Sequence, residues 1–229
     1  MAYHAPEGYD NSALKVLVDT GKLNDDTLAT MLVRKADWHD DDGIKLLLQN
    51  AADPNRISGW GFTALHHAAR RDNALGIFEL LLNHGGDPTI PSQASASIDA
   101  AEKSTVFIAA RRGRGDLLDL GVDIEELFAE GDGYWSVAKN SRALHVAAWR
   151  GRHTTVKFLL ERGAQVNVTD GEGRTPLALA VKACVDSFWT ERRSPESVAA
   201  LLRAGASPNN APFPSGYAEV DDLLKAHGK

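Results

Sequence analysis

The stretch Thr63-Ala64-Leu65-His66-His67-Ala68-Ala69 returns further along the chain as Ala143-Leu144-His145-Val146-Ala147-Ala148 and again as Thr175-Pro176-Leu177-Ala178-Leu179-Ala180. The step from His145 to Ala178 is 33 residues, and a weaker copy stands at Ser104-Thr105-Val106-Phe107-Ile108-Ala109-Ala110. Self-similarity at such a period confines a chain to architectures in which one supersecondary unit stacks on the next. A unit this short cannot bury an apolar face alone.

Each copy is followed by a second apolar segment with paired leucines and then a turn of small residues. Leu46-Leu47-Leu48 precedes Ala52-Asp53-Pro54-Asn55, Leu80-Leu81-Leu82 precedes Gly85-Gly86-Asp87-Pro88, Leu159-Leu160 precedes Gly163-Ala164, and Leu201-Leu202 precedes Gly205-Ala206. The unit is therefore a helical pair. Thr175 can cap the first helix, and Pro176 suits its first position, where no amide hydrogen is needed. Small pairs such as Ala68-Ala69 let neighbouring helices approach closely. In the second helix, Val156, Leu159 and Leu160 fall on one stripe. Gly163 then ends it, because glycine enters the left-handed region without penalty.

These residues resemble the ankyrin repeat, whose pattern includes T-P-L-H-x-A at the start of the first helix. Thr175-Pro176-Leu177 and Ala64-Leu65-His66-His67-Ala68 carry the likeness, and Gly163-Ala164-Gln165-Val166-Asn167 is similar to the family's turn. The resemblance implies an all-α solenoid of about six stacked helix-turn-helix units with degenerate capping units and one extended unit near the C-terminus. It also implies that His66 and His145 serve backbone hydrogen bonding between units.

The whole chain is expected to form one ankyrin-repeat domain. Residues 1–55 form an N-terminal capping region, 56–209 the central repeats, and 210–229 a C-terminal cap that closes on a helix over Tyr217 to His227. The first unit shows only a second helix, around Ser12 to Thr20, and the unit from Thr27 to Asn55 has lost the Leu-His signature. Irregular insertions fall at 90–103, 125–140 and 185–193. The second helix that follows the Ser104 copy, Asp116 to Leu120, runs early into Gly121. The last insertion, with Phe188, Trp189, Arg192 and Arg193, makes the Gly163-to-Gly205 span 42 residues long. It either extends a helix or forms a loop.

Composition excludes several classes of function. Net charge is −6, which gives no whole-molecule attraction to nucleic acid or anionic lipid. The single cysteine, Cys184, rules out an internal disulfide and a thiolate metal cluster and fits a reducing compartment. No basic-then-apolar leader opens the sequence and no stretch is apolar enough to cross a membrane, so a cytoplasmic protein is expected, and the capping units make a monomer the expected unbound state. Asp40-Asp41-Asp42 beside His39 lacks the glycine and closing glutamate of a calcium loop and reads as a solvated turn that caps a helix. Cys184 has no base at a recognised spacing and reads as a buried structural residue. No phosphate-binding glycine loop or nucleophile elbow is present, and neither a catalytic residue, a metal nor a cofactor is expected.

What the resemblance implies about function is binding of another protein, through hairpin tips and the late residues of each first helix. At tips stand Ile57, Trp60 and Phe62, then Ala138, Lys139 and Ser141, then Glu172 and Arg174. Late in first helices stand Arg70 and Arg71, Arg111 and Arg112, Trp149 and Arg150, and Lys182. Equivalent positions line up in a stacked array, so the concave face is expected to be a basic ladder suited to an acidic segment. Trp60, Phe62 and Trp149 stand beside it as apolar anchors; both tryptophans could instead tuck against the next hairpin. The same arginines could be a solvated edge, and a polyanion is the alternative ligand. The expected role is that of an adaptor, inhibitor or regulator.

Overall fold

The computed structural model describes residues 10–70, 75–93, 105–118, 122–128, 137–186 and 194–229, and among them the secondary structure is helical. The chain divides into two compact units, Met1–Ile108 and Ala109–Lys229.

Unit 1 opens with a lone helix, α1 (Ser12–Asp19), followed by the pairs α2 (Asp25–Asp37) with α3 (Asp41–Gln49) and α4 (Ala64–Arg70) with α5 (Leu75–Asn83). First helix packs on first helix, α2 on α4, and α1 lies against α3. Asn24 caps α2 by accepting the Thr27 amide at 2.8 Å. The core is formed by Leu14, Leu32, Ile44, Leu47, Leu65, Phe78 and Leu81. Although Thr27 to Asn55 lacks the Leu-His signature, it folds as a complete helical pair.

The division falls within α6 (Thr105–Arg112); in unit 2 the short α7 (Gly115–Leu118) precedes the pairs α8 (Ala143–Trp149) with α9 (His153–Glu161) and α10 (Pro176–Val185) with α11 (Glu196–Arg203). A single 3-10 turn, Pro208–Asn210, and α12 (Ala218–Ala226) close the chain. Here too first helices pack together, α8 on α10, and second helices together, α9 on α11. Thr175 accepts the Ala178 amide at 3.2 Å, with Pro176 at the first helical position, so the sequence-predicted start of this helix is the observed one. At the early end of its unit, α7 crosses α9 closely enough that a Cβ on Gly115 would lie 3.2 Å from Phe158.

Second helices end alike in both units. The amides of Ala52, Gly86, Ala164 and Ala206 donate to the carbonyls of Leu47, Leu81, Leu159 and Leu201 at 2.9 to 3.0 Å. The residue before each amide is left-handed: Ala51, Gly85, Gly163 and Gly205. This is the Schellman arrangement, which satisfies carbonyls the helix end would otherwise orphan.

The joint between pairs is also repeated. Asn55 donates from Nδ2 to the Gly85 carbonyl at 2.8 Å and accepts the Asp87 amide at 2.6 Å. Asn167 does the same to Gly205 at 3.0 Å and Ser207 at 2.8 Å.

One sequence expectation is corrected in unit 1. Asp40 caps α3, accepting the Gly43 amide at 2.9 Å, but it is not a solvated turn residue: it is buried against Lys35 at 2.6 Å. In unit 2, α10 ends at Val185, the first residue of the last insertion. Residues 187–193, with Phe188, Trp189, Arg192 and Arg193, lie outside the described residues, as do Tyr134 and Trp135.

Candidate functional site

The first helices carry cations at their C-terminal ends. Arg34 falls in the last turn of α2, Arg70 in that of α4, Arg111 and Arg112 in that of α6, and Lys182 in that of α10, while Arg150 is the C-cap residue of α8. Positive charge there opposes the partial negative charge of the terminal carbonyls, a local stabilisation of about 0.3 to 1 kcal/mol when exposed. The same placement concentrates guanidinium and ammonium groups at one end of successive first helices within each unit. Arg112 and Lys182 are exposed; Arg70, Arg111 and Arg150 are half-buried. Arg71 lies outside the described residues.

In unit 1 the aromatic residues divide. Trp60 is 43% exposed, and the Arg34 guanidinium carbon sits 4.9 Å from its ring centroid. Phe62 is only 5% exposed, so its expected place as an open anchor is corrected. It lies between His66 and His67, with ring centroids 5.9 and 5.5 Å away, and Arg70 covers it at 5.8 Å. The hairpin bond from the Ser58 amide to the Phe62 carbonyl, 2.9 Å, turns the chain so that its side chain faces inward. His67 Nδ1 is 3.1 Å from Asp37 Oδ1, joining α4 to α2.

In unit 2, Trp149 is 6% exposed and packs with Leu179 and Ala183 of α10. It is neither an open anchor nor tucked against a hairpin, because its indole packs on the next first helix. Lys182 Nζ lies 5.3 Å from its ring centroid, so the charge stays at the surface while the indole is core. Lys139 is an exposed tip residue whose carbonyl accepts the Gly171 amide at 2.7 Å. A Cβ at Gly171 would come within 2.8 Å of that carbonyl oxygen, which is why glycine stands there. The neighbouring tip positions Ala138 and Ser141 are buried, contrary to a reading of them as contact residues. Ser141 accepts the Phe128 amide at 2.8 Å and Asn140 donates to the Phe128 carbonyl at 2.8 Å, so the stretch from Glu125 is tied back to the hairpin. Glu125 itself holds Arg142 at 2.8 Å and the Gln165 amide at 2.8 Å. Glu172 is exposed, while Arg174 is drawn to Asp170 at 2.8 Å and to Glu172 at 3.0 Å.

The buried titratable groups are structural. The His66 ring accepts the Thr63 amide on Nδ1 at 3.2 Å, and His145 accepts the Arg142 amide at 3.1 Å. Burial pushes the His145 imidazole down to about 4, although the Asp170 carboxylate and the backbone of Val168 and Arg174 favour its charged form. These neighbours belong to the hairpin that leads into α10, so the ring faces the next helical pair. Cys184 is buried, donates to the Ser194 carbonyl at 3.0 Å, and burial pushes its thiol up to about 11. Such a thiol carries almost no thiolate at neutral pH and is a poor nucleophile. Among the described residues no cluster of three metal-ligating side chains forms, and no helix is long and apolar enough to cross a membrane.

The structure adds two residues to the face that the sequence reading did not name, Arg34 and Trp38. The missing Leu-His signature hid the register of α2. A signal was present, since an arginine and a tryptophan four residues apart share one side of a helix.

Stacked helical pairs with Schellman-ended second helices and asparagine-bridged turns define a helical-repeat protein. Ankyrin-repeat models match residues 106–211, as three copies, and residues 47–93, together more than half of the 229 residues. The chain belongs to the ankyrin-repeat family, whose members are in general protein-interaction modules rather than enzymes. It is 44% identical to human Rabankyrin-5 over 55 residues, which is 24% of this chain and 5% of that protein. It is 32% identical to an ankyrin repeat protein of Rickettsia bellii over 118 residues, 51% of this chain and 40% of the relative. To ankyrin repeat protein FPV230 of fowlpox virus it is 49% identical over 41 residues, 18% of this chain and 22% of the relative. The matches thus span between 5% and 40% of these relatives' lengths.

Proposed function

We propose that this protein is a non-catalytic interaction module, an adaptor, inhibitor or regulator that holds a protein partner against the C-terminal ends of its first helices. The observation that carries the reading is the recurrence of cations there, at Arg34, Arg70, Arg111, Arg112, Arg150 and Lys182, in a chain whose net charge is −6. Within either unit, a partner that presents carboxylates would meet guanidinium or ammonium groups at the ends of neighbouring first helices. Complementarity of this kind raises association rate and sets register more than it sets affinity. The reading includes a cytoplasmic location, which the single cysteine supports, and a monomeric unbound state.

Charge reversal tests it. Arg70→Glu in unit 1 and Arg150→Glu with Lys182→Glu in unit 2 are compared with the unaltered protein for capture of partners from native lysate, after circular dichroism shows each variant folded. Loss of the captured proteins supports the face. Unchanged capture by both variants sinks it. Retention of a generic oligonucleotide with an affinity falling steeply with salt would move the reading to polyanion binding.

A further inference from the structure

The turn that holds Glu125 repeats the turns that hold Asn55 and Asn167. The Asn55 amide donates to Asp53 Oδ1 at 2.8 Å, and the Glu125 amide donates to Asp123 Oδ1 at 2.9 Å. Three residues beyond Asn55, Glu125 and Asn167, a hairpin is closed by the amide of Ser58 on the Phe62 carbonyl, of Phe128 on that of Ser141, and of Asp170 on that of Arg174, at 2.8 to 2.9 Å. Glu125 therefore stands at the position of the joint asparagines, and its contact agrees. Its Oε1 accepts the Gln165 amide at 2.8 Å across 40 residues, as Asn167 Oδ1 accepts the Ser207 amide at 2.8 Å across 40.

Two departures from the pattern meet at this joint. Asn55 and Asn167 also donate, to the Gly85 and Gly205 carbonyls at 2.8 and 3.0 Å, whereas a carboxylate has no hydrogen to give the equivalent Gly163 carbonyl. Arg142 fills the N-cap position of α8, which Thr175 holds in α10, where its hydroxyl accepts the Ala178 amide. A guanidinium accepts nothing, so α8 goes without that bond. Arg142 Nε lies instead 2.8 Å from Glu125 Oε2, in an ion pair whose side chains are 21% and 27% exposed. A neutral donor bond and a helix cap are thus replaced by one ion pair that salt still reaches.

We infer that the Glu125–Arg142 pair makes this joint the yield point of unit 2, where the repeat that ends in α7 parts locally from the α8–α9 pair while α8–α9 and α10–α11 stay stacked. Ionic strength, which the asparagine joint does not sense, sets how often it opens. The end of α6 belongs to the repeat that moves and the end of α8 to the pair that stays, so the spacing of the face is adjustable here. That consequence rests on the interaction reading above, whereas the joint itself does not.

Amide hydrogen exchange followed by NMR on the full-length protein compares Gln165 with Ser207, each corrected for its intrinsic rate. With one hydrogen bond fewer at its joint, Gln165 should be protected about fivefold to tenfold less. In about 1 M NaCl, where the screening length falls to about 3 Å, the gap should widen by about twofold or more, with Ser207 unmoved. Arg142→Gln should produce the high-salt behaviour at low salt. Glu125→Asn with Arg142→Thr rebuilds the asparagine joint and the cap, and should bring Gln165 to within about twofold of Ser207 and abolish the salt effect. Equal protection of the two amides in the unaltered protein, or a gap that salt leaves unchanged, would overturn the inference, and both are read without any variant. So would a double variant that melts cooperatively yet gains no protection at Gln165. None of these outcomes bears on partner binding, which the charge-reversed variants decide.

Discussion

The Lys35 ammonium lies 2.6 Å from Asp40 Oδ2 with 0% of the lysine exposed, so the first complete helical pair has an ion pair in its interior. The helix-ending bond from the Asp40 amide to the Lys35 carbonyl has counterparts from Arg114 to Ala109 and from Arg152 to Ala147. Lys35 thus occupies a position that later units give to alanine. Its tail is accommodated by Gly43, where a Cβ would lie 2.7 Å from Lys35 Cδ, and Asn11 completes the cluster by donating to Asp40 at 3.0 Å.

Breaking this pair on one side strands a buried charge. Lys35→Met or Asp40→Asn alone should cost about 3 to 5 kcal/mol, and the double variant much less than their sum, read from urea unfolding followed by Trp38 and Trp60 fluorescence. Burial raises the Asp40 carboxyl, but Lys35, the Gly43 amide and Asn11 together hold it below the usual carboxylate range. Its contribution is therefore full above pH about 4 and is lost only as pH falls through that lowered value.

Ala51 holds a φ of +64° at the position where Gly85, Gly163 and Gly205 end the other second helices. A left-handed alanine carries a steric penalty that glycine does not. Ala51→Gly should therefore raise stability by about 0.5 to 1 kcal/mol, contrary to the usual effect of glycine near a helix. A lower melting temperature for this variant would contradict that account.

His145 should make unit 2 less stable in mild acid. Its folded value is depressed from 6.5 to about 4, so the unfolded chain binds the proton first as pH falls. Stability is full above pH 6.5, declines between 6.5 and about 4, and then levels, for a total of up to about 3 kcal/mol. His145→Asn keeps an acceptor for the Arg142 amide and should flatten this slope in denaturation curves taken across the range.

Asn167 should matter out of proportion to its exposure. Asn167→Ala removes two backbone partners at the joint and should cost about 1 to 2 kcal/mol. Asn167→Asp keeps the acceptor but sets a carboxylate against the Gly205 carbonyl, so it should not rescue. Chemical denaturation of both variants, and of the matching changes at Asn55, checks this.

Cys184 should resist alkylation. With its thiol pushed up to about 11 and its side chain buried, modification by iodoacetamide at neutral pH should follow the rate of unfolding. Rapid labelling of the native protein would contradict the burial described for α10.

Helix type and order were legible because their signals are local: Thr175 with Pro176 starts α10 and Gly163 ends α9 wherever the units lie in space. Burial was not, because repeat register says which residues are equivalent and not which way each faces. Phe62 sits at a tip position yet turns inward with its hairpin, and Trp149 holds the late position that Arg111 fills in α6, yet it is drawn onto Leu179 and Ala183. Lys35 and Asp40 were out of reach for a related reason. Each reads as a surface residue, and only the space left by Gly43 allows them to meet.

Asn55 reaches Gly85 across 30 residues of chain, whereas Asn167 reaches Gly205 across 38, with the same pair of backbone bonds at each end. The eight additional residues thus leave unaltered the hinge pin that joins the two ends of this span. Chain length between two pinned ends is thus a free variable in this scaffold, and the pin, not the distance along the chain, sets where the next pair begins.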